Sequence, residues 1–151
     1  MFPPKQVVDN IWIGGYDTAV NATFMKNNNI RLIVNCTKHV ASPFAEFIPT
    51  YRIPIQDHLA WQETFREHIA NATSAINRAL NNHGAVLVHC HAGVSRSSTL
   101  VAAYLIRFYG WTPEHAITMI QRKKPETFKP HPIFIEMLRD LYTERGLQKA
   151  S

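Results

Sequence analysis

Four short apolar runs rich in β-branched residues, at 7–13, 30–36, 51–55 and 85–89, are each bounded by Gly, Asn, Pro or Asp and predict strands. Between the last two, Trp61, Phe65, Ile69, Ala72, Ile76 and Ala79 recur at spacings of three and four, with Gly84 just beyond. That stripe predicts an amphipathic helix laid on a sheet. Residues 97–109 are apolar nearly all round and predict a buried central helix. Thr112 followed by Pro113 reads as an N-cap and first helical position, opening a helix to about Lys123, and 132–145 carries the apolar spacing of a last helix. Strands joined through helices imply an α/β fold with a single, mostly parallel sheet flanked by helices on both faces. Ligands are expected at the carboxyl ends of its strands.

Composition narrows the setting. A chain of 151 residues, 46% hydrophobic and 18% charged, suffices for one domain over residues 1–151 that buries about two thirds of its unfolded surface. No repeat or low-complexity tract divides it. The net charge of +5 suggests anionic partners without naming one. Two cysteines exclude a disulfide-built scaffold and favour a reducing compartment, the cytoplasm, with the nucleus open to a chain of this size. The first residues hold no apolar core of a signal or transit segment. The longest apolar stretch, 99–106, falls well short of the roughly 18 to 20 residues of a membrane span. A soluble protein with no membrane partner is expected.

The chemistry concentrates in His89-Cys90-His91-Ala92-Gly93-Val94-Ser95-Arg96-Ser97-Ser98, between a predicted buried strand and a predicted helix. A loop entering a helix N-terminus aims several backbone N–H groups into one concavity, which with the helix dipole suits a tetrahedral dianion. Gly93 allows the tight path. Cys90, at the start of the loop, sits in a positive field that favours its thiolate, the nucleophilic form. Arg96 can fold back over the concavity and grip two phosphate oxygens bidentately. The backbone of His91, Ala92, Gly93, Val94, Ser95 and Arg96 is thus a phosphate-binding candidate.

This segment resembles the signature of the cysteine-based protein tyrosine phosphatase superfamily: His-Cys, five residues, then Arg and Ser or Thr. Its Ala-Gly-x-Ser-Arg-Ser core is similar to that of small atypical dual-specificity phosphatases. The resemblance continues through Asn10-Ile11-Trp12-Ile13-Gly14, Ile33-Val34-Asn35-Cys36 and Tyr51-Arg52-Ile53-Pro54-Ile55-Gln56-Asp57. It implies attack by Cys90 on phosphorus, protonation of the leaving oxygen by an acid, and hydrolysis of the phosphocysteine by water, with no metal and no cofactor. The expected substrate is a phosphorylated protein carrying phosphotyrosine, phosphoserine or phosphothreonine. Two alternatives are an RNA 5′-triphosphatase or diphosphatase with the same chemistry, the one case with a nucleic-acid partner, and a non-catalytic phosphoprotein-binding module.

Of the four Asp residues, Asp9 and Asp17 flank the first strand and Asp140 lies in the last helix, whereas Asp57 follows a strand and opens a polar loop. Position and resemblance both make Asp57 the general acid and base. By the same resemblance Ser97 hydrogen-bonds the departing thiolate; the plainer reading is a helix cap. His89 resembles the family's histidine that helps keep the cysteine ionised; the plainer reading is a satisfied core histidine. Cys36 reads as a core residue, while the resemblance implies a redox partner that forms a reversible disulfide with Cys90. A metal site from His89, Cys90, His91 and Cys36 is disfavoured, because adjacent side chains point apart and no fourth ligand has proper spacing. Lys123, Lys124 and Lys129 read as a solvated basic face, and Trp61 as core, with His58 or Trp61 lining the pocket mouth as the alternative. The resemblance lapses at 124–134, where His131 stands in place of an expected Asn.

Overall fold

The computed structural model describes residues 2–150. Five strands form one sheet: β1 (Lys5–Val8), β2 (Ile11–Gly14), β3 (Ile30–Asn35), β4 (Thr50–Arg52) and β5 (Ala85–His89), in the order β1-β2-β5-β3-β4. β2, β5, β3 and β4 run parallel, and only β1 is antiparallel to its neighbour. The carboxyl ends of the four parallel strands therefore lie along one edge, and the register sets Gly14 and Asn35 on either side of His89. β5 is central and buried at every position, as a Val-rich strand in a parallel sheet must be.

The run at 7–13 is a correction, because it is a hairpin and not one strand. Asn10 adopts φ 66°, a left-handed turn conformation that Asn tolerates, and the chain reverses there. Two short helices that periodicity does not announce follow β2: α1 (Tyr16–Ala19) and α2 (Ala22–Asn27), the latter capped by Asn21, whose side chain accepts from the Phe24 N–H. The amphipathic stripe is α3 (Gln62–Asn81), entered through a 3-10 turn at Leu59–Trp61. α4 (Arg96–Tyr104) is buried over most of its length and widens into a π-helical turn at Leu105–Tyr109 that Gly110 ends at φ 74°. α5 (Pro113–Lys123) starts on the expected cap, with Thr112 accepting from the His115 N–H, and α6 (Ile135–Ala150) closes the chain.

The two faces of the sheet are covered unequally. The larger core joins Ile11, Ile13, Val34, Val86 and Val88 to α3, α4, α5 and α6. The opposite face is closed by a thin layer, in which Met25, Ile30, Ile33, Ala85 and Leu87 pack under Trp12, Phe24, Phe44 and Ile48. The basic-face reading fails at Lys124, which is 0% exposed. Its ammonium is paired with Glu126 and donates to the Pro3 carbonyl at 3.1 Å, so a buried charge is compensated and the N-terminal segment is pinned. Lys123 and Lys129 remain exposed. Among the described residues no helix is long and apolar enough to cross a membrane.

Candidate active site

The segment from Cys90 to Ser95 wraps the N-terminus of α4 at the carboxyl edge of the sheet. Three of its carbonyls, those of His91, Val94 and Ser95, are turned outward and held by separate elements. Tyr16 N–H of α1 donates to the His91 carbonyl at 2.8 Å, and Phe128 N–H donates to the Val94 carbonyl at 3.1 Å. Thr99 donates to the Ser95 carbonyl through both its N–H and its hydroxyl, each at 2.8 Å. The N–H groups of His91 to Ser95, by contrast, donate to no protein acceptor among the described residues. A loop with most of its acceptors tied back and its donors left over is an anion cradle.

Gly93 makes that path possible. Its φ is 74°, and a Cβ there would come within 2.8 Å of the Gly14 backbone. The loop backbone there passes so close to that of Gly14 that only glycine fits at 93, while a Cβ on Gly14 would stand 2.9 Å from the Thr18 side chain.

At the base of the cradle Cys90 is 2% exposed, and its sulfur lies 3.2 Å from the Ser97 hydroxyl. Ser97 therefore does not cap α4. The N-cap is Ser95, without a side-chain bond, and the Ser97 hydroxyl is turned to sulfur. His89, 1% exposed, sets Nδ1 3.3 Å from the Cys90 carbonyl, so Nδ1 carries the proton. Burial lowers the His89 pKa to about 4, with the Arg52 and Arg96 guanidinium groups adding to the effect against the bond to Cys90. The imidazole is neutral and holds the backbone of Cys90 as a hydrogen-bond donor.

Arg96 reaches across the mouth, and its Nη1 donates to the Ile55 carbonyl at 3.0 Å. Asp57 follows two residues later, exposed and without a hydrogen bond or ion pair among the described residues. The stretch that carries it is folded on itself by bonds from Ile55 N–H to the Ile53 carbonyl and from His58 N–H to the Gln56 carbonyl, and the His58 side chain accepts from the Ala60 N–H. His58 is thus engaged in the turn. Trp61 packs against the core while Lys38 lies over its ring at 4.8 Å, so it joins core and rim.

Cys36 is fully buried, its N–H donating to the His89 carbonyl at 2.8 Å. Burial raises its thiol pKa well above the ordinary value, and the neighbouring Cys90 raises it further. Both cysteines are free thiols. Among the described residues no three His, Cys, Asp or Glu side chains are grouped to hold a metal ion.

Several supporting residues escape sequence reading. Arg52 donates to the Thr37 carbonyl at 2.9 Å and the Val40 carbonyl at 2.8 Å, and the Asn35 side chain bonds Val40, Ser42 and Thr37, which fixes the loop after β3. Tyr16 stacks on the exposed His91 ring, centroids 6.3 Å apart and planes 17° from parallel. The Phe128 amide that backs the cradle comes from the segment where the resemblance lapses.

Comparison with known proteins places this geometry. The model of the family described as dual specificity phosphatase, catalytic domain, matches residues 11–144. Human dual specificity protein phosphatase 9 is 32% identical over 147 residues, covering 96% of this chain and 37% of that protein. Human protein phosphatase Slingshot homolog 2 is 28% identical over 146 residues, covering 93% of this chain and 10% of that protein. The chain thus spans well under half the length of these curated relatives. The crystal structure of human DUSP28 superposes with a TM-score of 0.87 at 26% identity, covering 98% of this chain and 97% of that one.

Proposed function

The chain belongs to the dual specificity phosphatase family by its catalytic domain, and from that membership we propose that it hydrolyses phosphotyrosine and phosphoserine or phosphothreonine in proteins. The observation that carries this reading is the cradle of unpaired N–H groups above Cys90, with Ser97 3.2 Å from the sulfur and Arg96 across the mouth. A phosphate dianion in the cradle meets the donors of residues 91–96 and the charge of Arg96. These interactions strengthen as charge develops on the equatorial oxygens.

The Cys90 thiolate attacks phosphorus, forming the S–P bond as the P–O bond to the substrate breaks. Asp57 gives its proton to the leaving oxygen. Water then gives a proton back to Asp57 and attacks phosphorus. The S–P bond breaks with its electron pair returning to sulfur, where the Ser97 hydroxyl donates a hydrogen bond to the departing thiolate. The exposure of Asp57 suits a group that must approach a bound substrate and then activate water.

The test is hydrolysis of a phosphotyrosine peptide, a phosphothreonine peptide and a triphosphate-ended RNA side by side, with Cys90→Ser as the blank. Turnover of the peptides without the RNA is expected. An RNA preference of a hundredfold in kcat/KM, about 2.7 kcal/mol, keeps the chemistry and replaces the function. Peptide retention without turnover would make the domain a binding module.

A further inference from the structure

At the opposite end of the sheet from Cys90, two adjoining concavities share Asn29 and Arg31. One, of about 500 Å³, is walled by Met25, Ile30, Phe44, Phe47 and Ile48, with Lys26 at its edge. The other, of about 490 Å³, continues past Arg31 to Asn82 and His83. Neither is lined by an acidic residue. Phe47 is 81% exposed, the most exposed large apolar side chain among the described residues, although Phe44 and Ile48 beside it pack into the thin layer.

Arg31, between the two, is held in one orientation. Its stem lies in the space left by Gly84, where a Cβ would stand 2.7 Å from the Arg31 Cβ and Cγ. Its Nε donates to the Asn29 Oδ1 at 2.9 Å, and Asn29 is itself fixed by donating to the His83 carbonyl at 3.0 Å. The two terminal nitrogens of Arg31 have no partner among the described residues, and Lys26 has no ion pair there. An exposed guanidinium whose rotamer freedom is already spent, with its fork unoccupied, is suited to take a carboxylate bidentately. The adjoining apolar wall supplies burial for one large side chain.

We propose that this groove docks an extended acidic segment of a partner protein, with a carboxylate on Arg31 and a bulky apolar side chain against Phe44, Phe47 and Ile48. A second copy of this chain would bring its own charge of +5 to a basic groove, so the charge balance favours an acidic partner. The six residues of β3, from Ile30 at the groove to Asn35 beside the site, set the two apart by about 17 Å. Docking therefore leaves the catalytic mouth free and needs no catalysis.

The full chain is offered to an array of labelled decapeptides randomised over acidic, basic, polar and apolar residues, in parallel with Arg31→Glu, Arg31→Lys and Phe47→Asp. The substituted side chains are exposed, so melting and hydrolysis of a small aryl phosphate are expected to be unchanged. Enrichment of peptides that pair Asp or Glu with one Phe, Tyr or Leu is expected. Their affinity should fall at least tenfold in Arg31→Glu and in Phe47→Asp, and by less in Arg31→Lys, which keeps the charge without the fork. The proposal is overturned if no peptide is retained, if retained peptides are neutral or basic, or if binding is indifferent to all three variants. It is equally overturned if Phe47→Asp instead abolishes self-association, or removes binding to phosphatidylserine vesicles while no peptide is held.

Discussion

The Arg96 guanidinium, which lies across the mouth of the cradle, donates to the Ile55 carbonyl at 3.0 Å and so holds the stretch leading to Asp57 two residues on. One side chain thereby couples the anion cradle to the proposed proton donor. Lysine has neither the reach of the fork nor its second donor pair. Arg96→Lys is expected to lower kcat/KM on an aryl phosphate by roughly 10²- to 10³-fold, about 3 to 4 kcal/mol. Steady-state rates on the folded variant, with melting as a control, check this.

The 3.2 Å approach of the Ser97 hydroxyl to sulfur predicts a step-specific defect. Ser97→Ala removes a hydrogen bond to a departing anion, worth about 1.5 to 3 kcal/mol, and slows breakdown of the phosphoenzyme roughly ten- to hundredfold. Stopped-flow release of nitrophenol should show a burst followed by a slow phase, with KM lowered alongside kcat. Equal loss in both phases would place Ser97 elsewhere in the cycle.

His89 predicts a pH dependence of stability. Its folded pKa of about 4 lies below the unfolded value of about 6.5, so between these the unfolded chain binds more protons and stability rises with pH. Its contribution is complete above about pH 6.5 and is lost as pH falls toward 4, amounting to about 3 kcal/mol across the window. Denaturant titrations from pH 4 to 7 should show this slope. His89→Gln, which keeps a donor without the titration, should flatten it.

Lys124 predicts a structural defect far from the chemistry. Lys124→Ala leaves Glu126 largely buried without its partner and releases Pro3, costing about 3 kcal/mol. Lys124→Met with Glu126→Gln, which removes both charges, should recover a good part of it. Thermal melts of the two variants decide the matter.

The neighbouring Cys36 predicts redox rescue. Peroxide oxidises the Cys90 thiolate to a sulfenic acid with release of hydroxide, and attack by the Cys36 thiol then forms the S–S bond and releases water. Parent protein treated with peroxide should regain activity on addition of dithiothreitol, whereas in Cys36→Ser further peroxide carries the unprotected sulfenic acid to the sulfinic acid and activity should not return. Because burial holds Cys36 as a thiol, the rescue should strengthen as pH rises. Equal irreversible loss in parent and variant sinks the idea.

The cradle loop was legible because its pattern is local: strand, cysteine, glycine, arginine and helix follow one another within a dozen residues. The same holds for the Thr112 cap and the α3 stripe, which are written in adjacent side chains. The hairpin at Asn10 was not legible, since one apolar run can hide a turn whenever an Asn accepts positive φ. The helices after β2 are too short to show a period. Lys124 was misread because a charge signals solvent unless its burial is known, and the closure of the Pro3 carbonyl, 121 residues away, over the Lys124–Glu126 pair declares itself only after folding. The roles of Tyr16 and Phe128 are carried by main-chain N–H groups, which no side-chain pattern encodes.

The outward carbonyls of the cradle lead to a consequence for inherited or selected loss of function. Its shape is maintained by amides at positions 16, 99 and 128, so a lesion that shifts any of these three anchors would deform the loop without altering a residue that meets phosphate. A screen for inactive alleles should therefore gather hits in three separated stretches of the chain. Proteins from those hits would carry an intact signature motif and a folded core, and be silent.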